Sequence, residues 1–161
     1  MEQPAGNKIT GNPSSHPALS VKWVEDFPDI PLNRNEAYKL RVTSKGVEIE
    51  AITETGVYRA IQTLRQLTEK KGNGIAITGC EITDWPAFRI RGFMQDVGRT
   101  YISTDELKRE IAILARYKIN VFHWHLTENQ AWRLQSKVFP MLNDSVNTTR
   151  QPGKYLSLIH I

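Results

Sequence analysis

The sequence predicts an α/β chain in which a small α+β domain comes first and a βαβ unit follows. Residues 35–84 alternate apolar and polar side chains in short runs and then repeat apolar side chains at helical spacing. Residues 92–126 show a strand pattern, a helical pattern and a second strand pattern in close succession. Such a succession favours two parallel strands joined by a right-handed crossover.

The composition indicates a globular chain and disfavours two classes of partner. Hydrophobic residues make up 40% of the 161 residues, but no run approaches the roughly 18 apolar residues that a membrane span needs. The net charge of +4 comes from residues scattered along the chain, whereas nucleic-acid-binding proteins concentrate basic residues in a patch. We therefore expect neither a membrane span nor a nucleic-acid partner, and the oligomeric state stays open. The single cysteine, Cys80, excludes an internal disulfide.

Residues 1–34 are predicted to be a flexible lead-in or the cut edge of a longer sequence. Residues 1–20 are polar and rich in glycine, proline and serine, and they lack the apolar core of a secretory signal. Residues 35–84 make up the small α+β domain. Its first element is a hairpin, because residues 38–42 and 47–50 both alternate apolar with polar side chains across a short polar turn.

A helix over residues 56–69 is predicted to follow the hairpin. Val57, Ile61 and Leu64 recur at the spacing of one helical face. Residues 71–74 contain two glycines and are predicted to end the helix, after which another short strand starts at Ile75. The predicted domain is therefore two or three strands with a helix on one face.

Residues 85–161 are predicted to be a second domain, because Pro86 biases Trp85 towards an extended conformation and breaks the preceding pattern. Its expected elements are a strand over 92–97, a helix over 103–118 and a strand over 120–126. Ser103 and Glu106 have the spacing of a capping box at the start of that helix.

The second of these strands places two histidines on one face. His123 and His125 are two residues apart, so their imidazoles point the same way. Such a pair could ligate a metal, as in metal-dependent barrel hydrolases. The other histidines, His16 in the lead-in and His160 at the tail, are not adequate further ligands. We therefore predict no metal site and favour imidazoles that form hydrogen bonds inside a barrel, with metal ligation as the alternative.

Polar and aromatic side chains gather just beyond the two predicted strands. Asp96 and Arg99 belong to the end of the first strand, and Glu128 and Trp132 follow the second. Parallel α/β folds bind ligands at the carboxyl ends of their strands. Arginine and glutamate match sugar hydroxyls, and an indole packs on a sugar ring. An ion pair from Arg99 to Asp96 or Glu128 that only ties two loops together accounts for the same residues equally well.

Four motifs, in this order, resemble those of the β-N-acetylhexosaminidases of glycoside hydrolase family 20. They read DWPAFR at 84–89, RGFMQDVGR at 91–99, YKINVFHWHLT at 117–127 and QAWR at 130–133. The resemblance runs from about residue 35 to about residue 155, and residues 36–68 are similar to part of the family's small N-terminal α/β domain. It implies that the second domain is the start of a (β/α)8 TIM barrel, represented here by its first two strands and the helix between them.

The resemblance also implies an activity and two site residues. Members of the family hydrolyse terminal, non-reducing N-acetylhexosamine residues of β-linked glycans without a cofactor, and the acetamido oxygen of the substrate itself attacks the anomeric carbon. Arg99 and Glu128 match the residues that hold hydroxyls of the terminal sugar. The family often has two consecutive aspartates where this chain has Glu128 and Asn129, and glycine where it has Ala131. Many relatives are exported, which implies a periplasmic or extracellular location.

The catalytic residues of the family are expected to lie outside this chain. The family uses an adjacent Asp-Glu pair, in which the Asp orients the acetamide and the Glu acts as general acid and then base. The one Asp-Glu pair here, Asp105 and Glu106, falls in the first turn of a predicted helix, so we assign it to capping. The sequence leaves the family pattern after Tyr155, and a barrel needs about 250 residues, so we expect a truncated fragment. A non-catalytic sugar-binding module and a metal-dependent barrel hydrolase stay open as alternatives.

We predict that the purified 161-residue chain does not hydrolyse an aryl N-acetyl-β-glucosaminide, because it lacks the pair that orients the acetamide and moves the proton. Release of the aryl alcohol, followed by absorbance, measures the reaction. Turnover above the rate in buffer alone would contradict the prediction.

Overall fold

The computed structural model describes residues 8–9, 18–129 and 131–143. The chain forms two compact units, which divide between Arg89 and Ile90. Predictions that concern the rest of the chain, including His16, His160 and the tail after Tyr155, lie outside the described residues. Within the described ranges, no helix is long and apolar enough to cross a membrane.

In the residues that the structure describes, the first unit consists of short strands and one α-helix. In chain order these are β1 (Lys8–Ile9), β2 (Ala18–Trp23), β3 (Tyr38–Thr43), β4 (Gly46–Ala51), α1 (Glu54–Gln66), β5 (Thr68–Lys71), β6 (Gly74–Thr78) and β7 (Cys80–Asp84). A 3-10 turn at Arg34–Glu36 precedes β3. Strands β2, β4, β3 and β7 form one sheet in that order, and β1, β6 and β5 form another.

The predicted hairpin is confirmed as β3 and β4. The two strands are antiparallel, with Leu40 opposite Ile49, and both of these side chains are buried. Alternation therefore gives the pair one face in the core and one polar face. Gly46 starts β4 with a φ of 151°, and a Cβ there would collide with the carbonyl oxygen of Ala18. Glycine at this position lets β2 pair in parallel alongside β4.

Helix α1 covers the apolar face of this sheet. Its first turn is capped by Thr53, whose hydroxyl accepts a hydrogen bond from the backbone N–H of Gly56 at 3.3 Å. The predicted stripe of Val57, Ile61 and Leu64 packs against the buried cluster of β3 and β4. The helix therefore holds the sheet through the face that its periodicity indicates.

The predicted end of this helix at Glu69 is wrong. The helix ends at Gln66, and the next residues form β5, which is antiparallel to β6. The residues expected to cap the helix are the turn of this second hairpin, in which Gly72 has a φ of 59°. The apolar stripe did not reveal the change, because Leu67 still packs against the core just after the last helical turn.

The predicted flexible lead-in is wrong for residues 18–34. Strand β2 pairs with β4 along its whole length, and Phe27 and Ile30 are buried together with Ala37. All six residues of β2 are exposed, so the strand has no buried face that could have revealed it in the sequence. Its backbone hydrogen bonds to β4 are what place it in the sheet.

The second unit contains the predicted βαβ arrangement. Its elements are β8 (Gly92–Asp96), α2 (Thr104–Arg116), β9 (Val121–His125), β10 (Thr127–Glu128) and β11 (Ala131–Trp132), with a 3-10 turn at Pro140–Asn143. Strands β8 and β9 are parallel, as predicted. Val97, which follows β8, and Leu107 of α2 are buried, and they pack against partly buried apolar side chains that include Phe122 and Trp124 of β9.

Both ends of α2 have a local cause. Ser103 and Glu106 form the predicted capping box, in which each residue's side chain bonds the backbone N–H of the other. The helix ends at Arg116 rather than at the predicted Lys118, because Lys118 adopts a φ of 62°. A left-handed residue cannot continue a right-handed helix, so the chain turns there into β9.

A buried tyrosine ties three elements of the first unit together. Tyr38 of β3 is 1% exposed, and its hydroxyl donates to Asp84 Oδ2 of β7 at 2.8 Å. Because that bond uses its one proton, the hydroxyl accepts from Thr63 Oγ1 of α1 at 2.5 Å. Burial raises the pKa of Tyr38 well above its ordinary value, so the hydroxyl stays a donor at all physiological pH values.

We predict that Tyr38→Phe lowers the free energy of unfolding by about 1–2 kcal/mol, because two partly buried polar side chains, Thr63 and Asp84, lose a partner. Tyr58→Phe is the matched control, since Tyr58 lies on α1 and is 44% exposed. Chemical denaturation measures both variants. Equal losses in the two would show that the buried hydroxyl contributes nothing specific.

Candidate functional site

The parallel register of β8 and β9 brings the predicted polar residues to one edge. Asp96, the last residue of β8, lies opposite His125, the last residue of β9. The N–H of Val97 donates to the carbonyl of His125 at 3.0 Å, and this bond keeps the two segments together where they leave the sheet. The chain after β9 folds back as β10 and β11, and this small ribbon holds Glu128 opposite Ala131.

Arg99 forms an ion pair with Asp96 and a second one with Glu128. Its Nη1 lies 2.5 Å from Asp96 Oδ2, and its Nη2 lies 2.6 Å from Glu128 Oε1. The carboxylate side chains are 18% and 22% exposed, whereas that of Arg99 is 53% exposed. Two partly buried carboxylates therefore fix the direction of a guanidinium that still faces solvent.

Asp96 also grips the backbone of the turn that carries Arg99. Its Oδ1 accepts the N–H of Arg99 at 3.0 Å. This backbone hydrogen bond, helped by the Arg99 guanidinium, holds the pKa of the Asp96 carboxyl below its ordinary value, although partial burial opposes the shift. Asp96 is thus a carboxylate at neutral and mildly acidic pH, and it anchors Arg99 at two points.

Of the two histidines, only His125 joins this group. Its Nε2 lies 3.0 Å from Glu128 Oε1, while His123 is exposed and meets His125 only edge to face, at 5.9 Å between ring centres. Asp96, His125 and Glu128 bring ligand atoms within 4.8 Å of one another, a set whose chemistry could hold a metal ion. The histidine spacing in the sequence did not reveal this set, because two of its members are carboxylates. Arg99 already binds both, so a metal ion would have to displace its guanidinium.

Arg133 is a site residue whose role the sequence did not reveal. Its side chain is completely buried, and its Nε and Nη2 donate to the carbonyls of Val97 and Gly98 at 2.9 and 3.2 Å. Its guanidinium also lies 5.9 Å from the ring centre of Tyr101. Burial lowers the pKa of Arg133 from its ordinary value. The buried guanidinium thus holds the turn between Asp96 and Arg99 through two of its backbone carbonyls. In the sequence, only the position of Arg133 in the QAWR motif indicated such a role.

Trp132 does not offer its indole nitrogen to solvent. The nitrogen is buried and has no hydrogen-bond partner among the described residues, and the same is true of Trp124. Trp132 lies on β11 opposite Thr127 of β10. The geometry of the site therefore centres on Arg99 and Glu128, with Asp96, His125 and Arg133 holding them.

Comparison with known proteins places nearly all of the chain in one family. Residues 4–85 match the family profile "Glycosyl hydrolase family 20, domain 2", and residues 88–156 match "Glycosyl hydrolase family 20, catalytic domain". The chain is 42% identical over 159 residues to a β-hexosaminidase of Porphyromonas gingivalis, covering 94% of this chain and 18% of the relative. It is 39% identical to a β-N-acetylhexosaminidase of Cellulomonas fimi, covering 78% and 25%.

Solved structures agree with this placement. An exo-β-N-acetylglucosaminidase of Vibrio harveyi, solved in complex with N-acetylglucosamine, is 37% identical with a TM-score of 0.68, covering 78% of this chain and 19% of that one. A β-N-acetylhexosaminidase of Streptomyces coelicolor is 30% identical with a TM-score of 0.71, covering 86% and 29%. The expected fold class, a small α+β domain and the opening βαβ unit of a (β/α)8 barrel, is confirmed. The chain spans a quarter or less of the length of the two curated relatives.

We predict that Arg133→Met destabilises the second unit by about 2–4 kcal/mol, because two buried carbonyls lose a charged donor. Arg109→Met is the matched control, since Arg109 is an exposed residue of α2. Amide hydrogen exchange in β8 and β9 reports the loss. Equal protection in the two variants would contradict this role for Arg133.

Proposed function

Since the chain belongs to glycoside hydrolase family 20, we propose that it supplies the sugar-holding part of a β-N-acetylhexosaminidase site. The substrate is a glycan with a terminal, non-reducing N-acetylhexosamine in β linkage. Arg99 and Glu128 are the residues that hold hydroxyls of that sugar. The relative of known structure that contains N-acetylglucosamine supports the choice of an amino sugar.

The observation that carries the proposal is the fixed and half-exposed guanidinium of Arg99. A sugar hydroxyl both donates and accepts hydrogen bonds, so it is matched best by a donor and an acceptor side by side. Arg99 Nη2 lies 2.6 Å from Glu128 Oε1, so the guanidinium and the carboxylate lie side by side and provide such a pair. Both lie at the carboxyl ends of parallel strands, where barrels of this kind bind their substrates.

An ion pair that only ties two loops together is a weaker explanation of the same geometry. Exposed ion pairs contribute only about 0–1 kcal/mol, because water and lost side-chain freedom offset the attraction. The turn that carries Arg99 is already held by the Asp96 carboxylate and by the buried Arg133. The ion pair between Glu128 and Arg99 is therefore better explained by a role in sugar binding than by a role in holding the two loops together.

The Asp-Glu pair of this chain is committed to structure rather than to catalysis. Glu106 Oε2 accepts hydrogen bonds from the hydroxyl and the backbone N–H of Ser103 at 2.7 and 3.1 Å. These bonds, the side-chain bond first, lower the pKa of Glu106 below its ordinary value. A general acid needs the opposite shift, because it must carry a proton near neutral pH. The proposed contribution of this chain is therefore to bind and orient the sugar.

We predict that Arg99→Met weakens binding of N-acetylglucosamine about tenfold or more, because a charged donor to a hydroxyl is lost. Arg41→Met is the matched control: Arg41 is 58% exposed in the first unit, with its Nε 2.7 Å from Glu81 Oε1. Titration of the sugar into nitrogen-15-labelled protein gives both dissociation constants. Equal constants for the two variants would refute a sugar-holding role for Arg99.

A further inference from the structure

Gly98 lies in the turn between the two ion-paired residues Asp96 and Arg99. Its backbone is not in the left-handed region, which among the described glycines is occupied by Gly46 and Gly72. Alanine could therefore adopt the same backbone conformation at residue 98. Any reason for glycine here must lie in what a side chain would touch.

A side chain at residue 98 would press on both carboxylates of the site. A Cβ there would lie 3.2 Å from both Cβ and Cγ of Glu128, and 3.3 Å from Oδ1 of Asp96. Ordinary van der Waals contacts between carbon atoms are about 3.5–4.0 Å. One of these neighbours would have to move by a few tenths of an ångström.

Neither neighbour can move without disturbing Arg99. Glu128 Oε1 is held by Arg99 Nη2 at 2.6 Å and by His125 Nε2 at 3.0 Å. The backbone of Glu128 is paired with Ala131, which is 1% exposed. Asp96 Oδ1 accepts the N–H of Arg99, and its Oδ2 binds Arg99 Nη1. A shift of either carboxylate would lengthen a contact that fixes the guanidinium.

We propose that Gly98 is a positioning residue for the sugar site: its missing side chain lets the stem of Glu128 lie against the turn, so that Glu128 and Asp96 hold the two Nη groups of Arg99 at once. The Cβ and Cγ methylene groups of Glu128 are the two Glu128 atoms that a side chain at residue 98 would meet most closely. The role in sugar binding rests on the proposed function, whereas the role in holding Arg99 does not.

The test compares Gly98→Ala with Gly92→Ala in the full 161-residue chain. A Cβ at Gly92 would meet Val121 at an ordinary 3.9 Å, so this control should behave as the wild type does. Gly98→Ala should weaken binding of N-acetylglucosamine about fivefold to tenfold, as expected for a coupled neighbour. It should also speed rotation of the Arg99 guanidinium, seen as averaging of its Nη signals in nitrogen-15 NMR spectra. Wild-type affinity together with wild-type signals would overturn the proposal.

Glu128→Ala shows whether the effect passes through Glu128. In that background the Cγ contact is gone, while the contacts with Cβ of residue 128 and with Asp96 Oδ1 remain, so adding Gly98→Ala should change affinity and guanidinium rotation less than it does in the wild-type chain. An undiminished effect would overturn the proposal. If Gly98→Ala alone fails to fold, the double variant should recover folding, and an unfolded double variant would count against the role of Gly98.

The two readouts separate this proposal from the proposed function. A wild-type chain that binds no N-acetylglucosamine, but whose Arg99 signals average on Gly98→Ala, refutes sugar binding and supports the positioning role. A chain that binds the sugar equally well with glycine or alanine at residue 98, with unchanged Arg99 signals, supports sugar binding and refutes the positioning role.

Discussion

The candidate site depends on the parallel register of β8 and β9. Asp96 lies opposite His125 in that register, so the segments that follow the two strands leave the sheet at the same edge. Arg99 and Glu128 are far apart in the sequence, and they meet because each lies three residues beyond one of these strand ends. A slip of one residue would turn the side chains of one strand to the opposite face and separate the group.

Two arginines of the second unit show how the surroundings of a charge determine its use. Arg133 is completely buried and spends its donors on backbone carbonyls, so it organises the turn above it. Arg99 is half-exposed and is bound by two carboxylates, which orient it without removing it from solvent. Burying a charge is costly unless its polar groups find hydrogen-bond partners. The planar guanidinium of Arg133 meets this need, because it can donate to two successive backbone carbonyls. By holding the carbonyls of Val97 and Gly98, the buried Arg133 helps to fix the turn from which Arg99 extends.

Patterns that depend on near neighbours in the sequence predicted much of this chain. The alternation in β3 and β4, the apolar stripe of α1 and the capping box of α2 each express one element's own periodicity or end. Strand β2 could not be predicted in this way, because its side chains are exposed and its place depends on pairing with β4. The buried state of Arg133 likewise depends on contacts between elements, since its side chain donates to carbonyls 36 and 35 residues away in the sequence.

The two oxygens of Glu128 have different surroundings, and this has a consequence for recognition. Arg99 and His125 both bind Oε1, while Oε2 has no hydrogen-bond partner among the described residues. Oε1 is therefore taken up by contacts within the protein, whereas Oε2 can accept a hydrogen bond from a ligand. Because Arg99 and His125 already restrict rotation of the carboxylate, a hydroxyl that donates to Oε2 meets a preorganised acceptor. Little side-chain entropy would then be lost on binding, so even a single charge-assisted hydrogen bond could discriminate between epimeric hydroxyls.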